Sequence, residues 1–149
     1  MSLNSNQIPI YAITSKTGVG ILNAATAGTM AATTNAVTVY TAGSNGSIID
    51  SLVANSTDTA AVNLFVFIVG SDGTTVKPLW QVNVPLSSGN LASVLSVDAL
   101  LSTVSVGSLI DPNGKRFIRL GSSETLRVSV VANMTAGKFC YVTAMGTDF

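Results

Sequence analysis

A chain of 149 residues has the length of one domain and can bury roughly two-thirds of its unfolded surface, so its core needs no disulfide or metal staple. Charged residues make up only 9% of it, against about 25% in an ordinary soluble domain, and seven basic residues balance seven acidic ones. This excludes a basic surface for neutralising nucleic-acid phosphates, and the lack of any histidine excludes Ser-His-Asp and Cys-His catalysis and imidazole metal ligation.

Residues 1–16 are polar around Ile8, Pro9, Ile10 and Tyr11. The proline suits an edge strand or an extended arm, so residues 1–16 are expected to form such an arm and residues 17–149 a single β-sandwich domain. No basic region precedes an apolar block here, and a Sec-type leader is not expected. Residues 17–36 are rich in Ala, Gly and Thr; Val19 to Leu22 reads as a short strand and the rest as loop.

Alternation sharpens from Ala36 onward. Val37, Val39 and Thr41 oppose Thr38 and Tyr40; Gly43-Ser44-Asn45-Gly46 turns the chain. In the next strand Ile49, Ser51 and Val53 oppose Ile48, Asp50 and Leu52. Ala61 to Val69 is apolar on both faces, which predicts a central strand or one packed on a neighbouring subunit. It is far short of the ~20 apolar residues that span a bilayer, and no membrane partner is expected. Asp72-Gly73 is a hairpin turn, and Val76 to Val84 puts Trp80, Val82 and Val84 on a core face, with Pro78 marking an edge or a bulge. Leu91 to Val104 has some helical spacing, so at most one short helix is expected near 97–104. Then come the turn Asp111-Pro112-Asn113-Gly114, an apolar run from Phe117 to Leu120, and a strand with Leu126, Val128 and Val130 on one face. The chain closes with a strand from Phe139 to Met145.

About eight strands with turn signals every 8–12 residues predict an all-β fold, a two-sheet β-sandwich of jelly-roll type. An internal echo predicts that two parts of the chain are equivalent in space. Gly43-Ser44 and Ser51 to Thr57 match Gly121-Ser122 and Ser129 to Thr135 at a constant offset, which predicts two similar hairpins, one in each half of the sandwich.

Chemistry is sparse. Cys140 is alone within an alternating strand, so a buried inert thiol is expected, as in a protein made in a reducing cytosol. The acidic residues are scattered, and Asp58, Asp72, Asp98 and Asp111 sit in turn or cap contexts. No catalytic residue, cofactor or metal is expected. Lys115, Arg116, Arg119 and Arg127 form the one concentration of charge in the sequence, either a solvated strand face or a contact to an acidic partner. The weakly charged coat of Ser, Thr, Asn and Gly favours association with other protein.

The series from Asp111-Pro112-Asn113-Gly114 through Leu120-Gly121 and Thr125-Leu126-Arg127-Val128 to Thr135-Ala136-Gly137-Lys138 and Gly146-Thr147-Asp148-Phe149 resembles small structural proteins of tailed bacteriophages. Thr41-Ala42-Gly43-Ser44-Asn45-Gly46-Ser47 is similar to a hairpin of the same proteins. The resemblance implies a capsid decoration (cement) protein, made in the host cytoplasm, that binds the outside of the major capsid protein shell as a dimer or trimer, on the capsid exterior of the virion. An N-terminal arm at Ile8, Pro9, Ile10 and Tyr11 and the basic residues Lys115, Arg116, Arg119 and Arg127 are the expected partner-binding elements. The alternative is a receptor- or glycan-binding module of a tail or head fibre, which needs an exposed aromatic platform from Tyr11, Tyr40, Trp80 or Tyr141.

Overall fold

The computed structural model describes residues 14–24, 33–100, 109–132 and 134–149. Ten strands follow in order: β1 (Thr14–Leu22), β2 (Val37–Thr41), β3 (Ser47–Ser56), β4 (Val62–Val69), β5 (Val76–Val84), β6 (Val97–Asp98), β7 (Leu109–Ile110), β8 (Arg116–Leu120), β9 (Thr125–Val130) and β10 (Cys140–Asp148). Two of them, β6 and β7, are two residues long, which leaves eight principal strands. The first sheet has the order β1-β10-β3-β8-β7, with β6 on β3; the second has the order β2-β9-β4-β5. All pairings are antiparallel. Orders β1-β10-β3-β8 and β2-β9-β4-β5, with the chain crossing between sheets from β1 to β4 and again from β8 to β10, make a jelly roll.

The core follows from alternation wherever the strands are regular. Leu126, Val128 and Val130 of β9 are fully buried, as are Leu64 and Val66 of β4 and Val82 and Val84 of β5. β4 is internal to its sheet and is buried on both faces, with Phe67 and Val69 behind the core face. Three irregularities break the alternation. The β2–β9 register slips at Val39, so Val39 and Tyr40 both turn inward. The β3–β10 register slips at Asp50, which brings Ile49 and Leu52 onto one face and corrects their expected opposition. The β4–β5 register slips at Leu79, beside Pro78 on the edge strand, where a residue without an N–H is tolerated.

No α-helix occurs among the described residues. Val97 and Asp98 pair with Ala54 and Val53, and Ala99-Leu100 is a turn whose Leu100 N–H donates to Asp98 Oδ1 at 3.0 Å. The rest of the expected helix, residues 101–104, lies outside the described residues.

The echoed segments are equivalent, though not as hairpins. β2, β3 and β4 exchange with β8, β9 and β10: β3 pairs with β8 and β10 in one sheet, and β9 pairs with β2 and β4 in the other. Each copy is therefore an arch from sheet to sheet. The two arches meet at both ends of the sandwich.

At one end the Ala42 N–H donates to the Glu124 carbonyl at 2.9 Å, and the Phe149 N–H donates to the Gly46 carbonyl at 3.1 Å. Asp148 ties this end together. It accepts from the Tyr40 hydroxyl at 3.0 Å and from Ser47 Oγ, and pairs with Lys16 Nζ at 3.4 Å. Burial opposes its ionisation, but these hydrogen bonds and the Lys16 charge outweigh burial and lower its pKa. Tyr40 is pushed up to about 12, by burial and then by its bond to the Asp148 carboxylate. Tyr40→Phe is expected to cost about 1.5 kcal/mol, since it removes one hydrogen bond to a charged acceptor while keeping the ring. Thermal denaturation checks this, with a fall of roughly 3–6 °C expected.

At the other end Asp58 is buried and accepts from Thr135 Oγ1 at 2.7 Å, the Thr135 N–H at 2.9 Å and the Ala60 N–H at 3.2 Å. Cys140, close by, is fully buried and pushed up to about 12 by burial and the Asp58 charge, so it is an inert thiol.

Candidate interaction surface

β1 alternates glycine with larger residues for a structural reason. Gly18, Gly20 and Leu22 face inward, and a Cβ on Gly18 would lie 1.9 Å from the Val39 carbonyl oxygen of β2. The two sheets thus close tightly along this side, and Thr17, Val19 and Ile21 are forced outward.

The pairing registers carry this outward row across the sheet. Val19 lies opposite Thr143, which lies opposite Val53; Ile21 lies opposite Tyr141, and Tyr141 opposite Asn55; Thr17 lies opposite Met145, and Met145 opposite Ser51. Across β1, β10 and β3 these three rows are therefore a field of Val, Ile, Met, Tyr, Thr, Ser and Asn; beyond β3 the middle row ends on the exposed Asp98 of β6, opposite Val53. Val19 is 53% exposed, Ile21 49% and Met145 43%. Phe139 extends the field, its ring centroid 6.2 Å from that of Tyr141. Two shallow depressions flank it. One, of about 310 Å³, is lined by Lys16, Asp50 and Met145 among others; a second, of about 160 Å³, lies between Tyr141, Asn55 and Asn90. Exposed apolar residues gathered on one face mark a contact surface more than single ones do.

The basic residues do not form one cluster. Lys115 pairs with Asp50 at 3.4 Å across an exposed gap, and Arg119 is exposed on β8 opposite Ile48. Arg116 begins β8 opposite Ile110 and is partly buried. Arg127 lies in the other sheet, on β9 opposite Phe67, with its Nε donating to Thr125 Oγ1 at 3.2 Å. The chain crosses between sheets from β8 to β9, so neighbours in sequence separate in space. Ile8, Pro9, Ile10 and Tyr11 lie outside the described residues, whereas Thr14, Ser15 and Lys16 are paired as the start of β1.

Of the aromatic candidates, Tyr40 and Trp80 are buried, and Tyr141 is exposed beside Phe139. Among the described residues no group of three or more Cys, Asp or Glu is placed to hold a metal ion. The carboxylates with lowered pKa values have structural partners. Burial opposes ionisation of Glu124, but Lys77 and the Gly121 N–H outweigh it; Asp72 is held low by the Thr75 hydroxyl and N–H.

No protein-family model matches the chain, and no curated protein does. Among solved structures, a chain of the cyanophage Pam1 capsid asymmetric unit is similar to it at 19% identity, with 99% of each chain covered and a TM-score of 0.41.

Proposed function

We propose that the protein is a structural virion component, a capsid decoration (cement) protein that binds the outer surface of a tailed bacteriophage's major capsid protein shell and stabilises it. The observation that carries this reading is the three charge-free rows of exposed apolar and small polar residues that cross β1, β10 and β3. It suits association by buried area and shape rather than by charge. The turn motifs that resemble phage structural proteins give the class of partner. In the fold these motifs are the joints where the arches meet, at Gly43 to Ser47, Gly121 to Glu124 and the terminal Asp148-Phe149. On this reading the protein works without catalysis, on the capsid exterior, after synthesis in the host cytoplasm.

A second reading has one observation in its favour. Tyr141, with Phe139 next to it, lines a depression together with Asn55 and Asn90, an aromatic and amide combination that suits a sugar ring. That would make the protein a glycan-binding module of a fibre.

Mixing the purified protein with expanded shells that lack it separates the two. Saturable binding that raises the shells' heat resistance is expected; binding to host cells or a glycan array without shell affinity would contradict the cement reading. Met145→Lys sits in the middle of the outer face and is expected to change stability by less than about 0.5 kcal/mol while abolishing shell binding.

A further inference from the structure

Among the described residues the sandwich has four sheet edges, and β1 is built unlike the other three. β5 carries Lys77, Pro78 and a bulge at Leu79. β2 is five residues long with a bulge at Val39. The β8 side ends in the two-residue β7 and carries Lys115 and Arg119. Short length, bulges, proline and charge are the devices that stop an edge from pairing with another chain. β1 has none of them. It is nine residues long, its register with β10 is unbroken through nine pairs, and it contains no proline. Its one charge is turned under the sheet: Lys16 Nζ donates to the Thr41 carbonyl at 2.6 Å and lies 5.0 Å from the Tyr40 ring centre. β5 is the edge strand beside β4 as β1 is the edge strand beside β10, so the contrast lies between two strands with the same topological role.

We infer that β1 is an assembly edge that pairs antiparallel with β1 of a second copy of this chain, about a two-fold axis, to make one sheet continuous across the dimer. A second copy fits because an isologous pairing of this strand brings together no like charges: its outward row is Thr17, Val19 and Ile21. The pairing also joins the two outer faces edge to edge, so the apolar rows through Thr143 and Tyr141 run on into those of the partner. The inference does not depend on what that face binds, and its test uses no capsid.

Sedimentation at about 50 μM, where mass action favours association, is expected to show twice the chain mass. Val19→Lys brings two ammonium groups near the axis and is expected to weaken the dimer at least about tenfold with an unchanged circular dichroism spectrum, whereas Met145→Lys leaves it intact. Hydrogen exchange on the unaltered protein tests the same point without a variant. The β1 amides that point away from β10 are expected to exchange at least about tenfold more slowly in the dimer than after dilution. A protein that stays monomeric, or a dimer whose β1 amides exchange as fast as in the monomer, would overturn the edge pairing.

Discussion

Gly18→Ala is expected to destabilise the fold by about 3 kcal/mol, a cost at the upper end of overpacking effects. The added Cβ would stand 1.9 Å from the Val39 carbonyl oxygen, 3.1 Å from its carbon and 3.4 Å from the Tyr40 Cα. All three neighbours are backbone, so no side chain can swing away. Relief requires β1 to lift from β2, which opens the tight side of the sandwich and disturbs Lys16, Tyr40 and Asp148 as well. Thermal or urea denaturation would read the loss as a fall in midpoint of roughly 6–12 °C. Gly73→Ala is the control. Gly73 has φ +72° and open space around it, so only left-handed strain applies, at about 1 kcal/mol. Equal costs at the two positions would contradict the tight closure.

Asp58→Ala is expected to be the second large effect, about 2–4 kcal/mol, because it removes a buried carboxylate that accepts three hydrogen bonds from two loops. The carboxylate links the arch after β3 to the arch after β9, so its loss separates elements far apart in sequence. The same group gives stability a pH dependence. Burial opposes Asp58 ionisation, but the Thr135 hydroxyl, the Thr135 N–H and the Ala60 N–H outweigh it, and its pKa falls below the ordinary value. Asp148 and Glu124 are shifted in the same direction. A carboxyl with a depressed folded pKa contributes stability that is present above its unfolded pKa and is lost as pH falls through the folded one. The melting temperature is therefore expected to be level from about pH 6 to 8 and to drop below about pH 4. Asp58→Asn is expected to be less stable at neutral pH and to drop less in acid. An acid profile identical to that of the unaltered protein would remove Asp58 from the account.

Regular strands were legible in the sequence. β5 runs from Val76 to Val84 as its alternation requires, with Trp80, Val82 and Val84 buried, and Pro78 marks an edge and a bulge. Bulges were not legible in β2 and β3. Nothing local in Val39 or Asp50 announces an extra residue; the slip is set by the partner strand, so the sequence assigns Leu52 to the wrong face. The echo at residues 43–57 and 121–135 was visible as a repeat, but whether a turn returns to its own sheet or crosses to the other is a long-range property.

The outer face was missed for a related reason. It is assembled from strands more than a hundred residues apart, and its rows exist only once β1 lies on β10. One signal was available: Gly18 and Gly20 alternate with Thr17, Val19 and Ile21, and small residues on one face of a strand imply a close neighbour there and an outward role for the larger ones. The basic residues misled in the opposite way. Lys115 to Arg127 are close in sequence, yet an arch places Arg127 on the other sheet.

Hydroxyl-radical footprinting of the shell-bound protein reads the proposed contact face residue by residue, because the outer face carries oxidation-prone side chains at Met145, Tyr141 and Phe139. Their oxidation is expected to fall several-fold on binding to capsid shells, while Leu86 and Leu95, exposed in the loop after β5, react as in the free protein. Unchanged reactivity at Met145 and Tyr141, with protection appearing at Leu86 and Leu95, would contradict it.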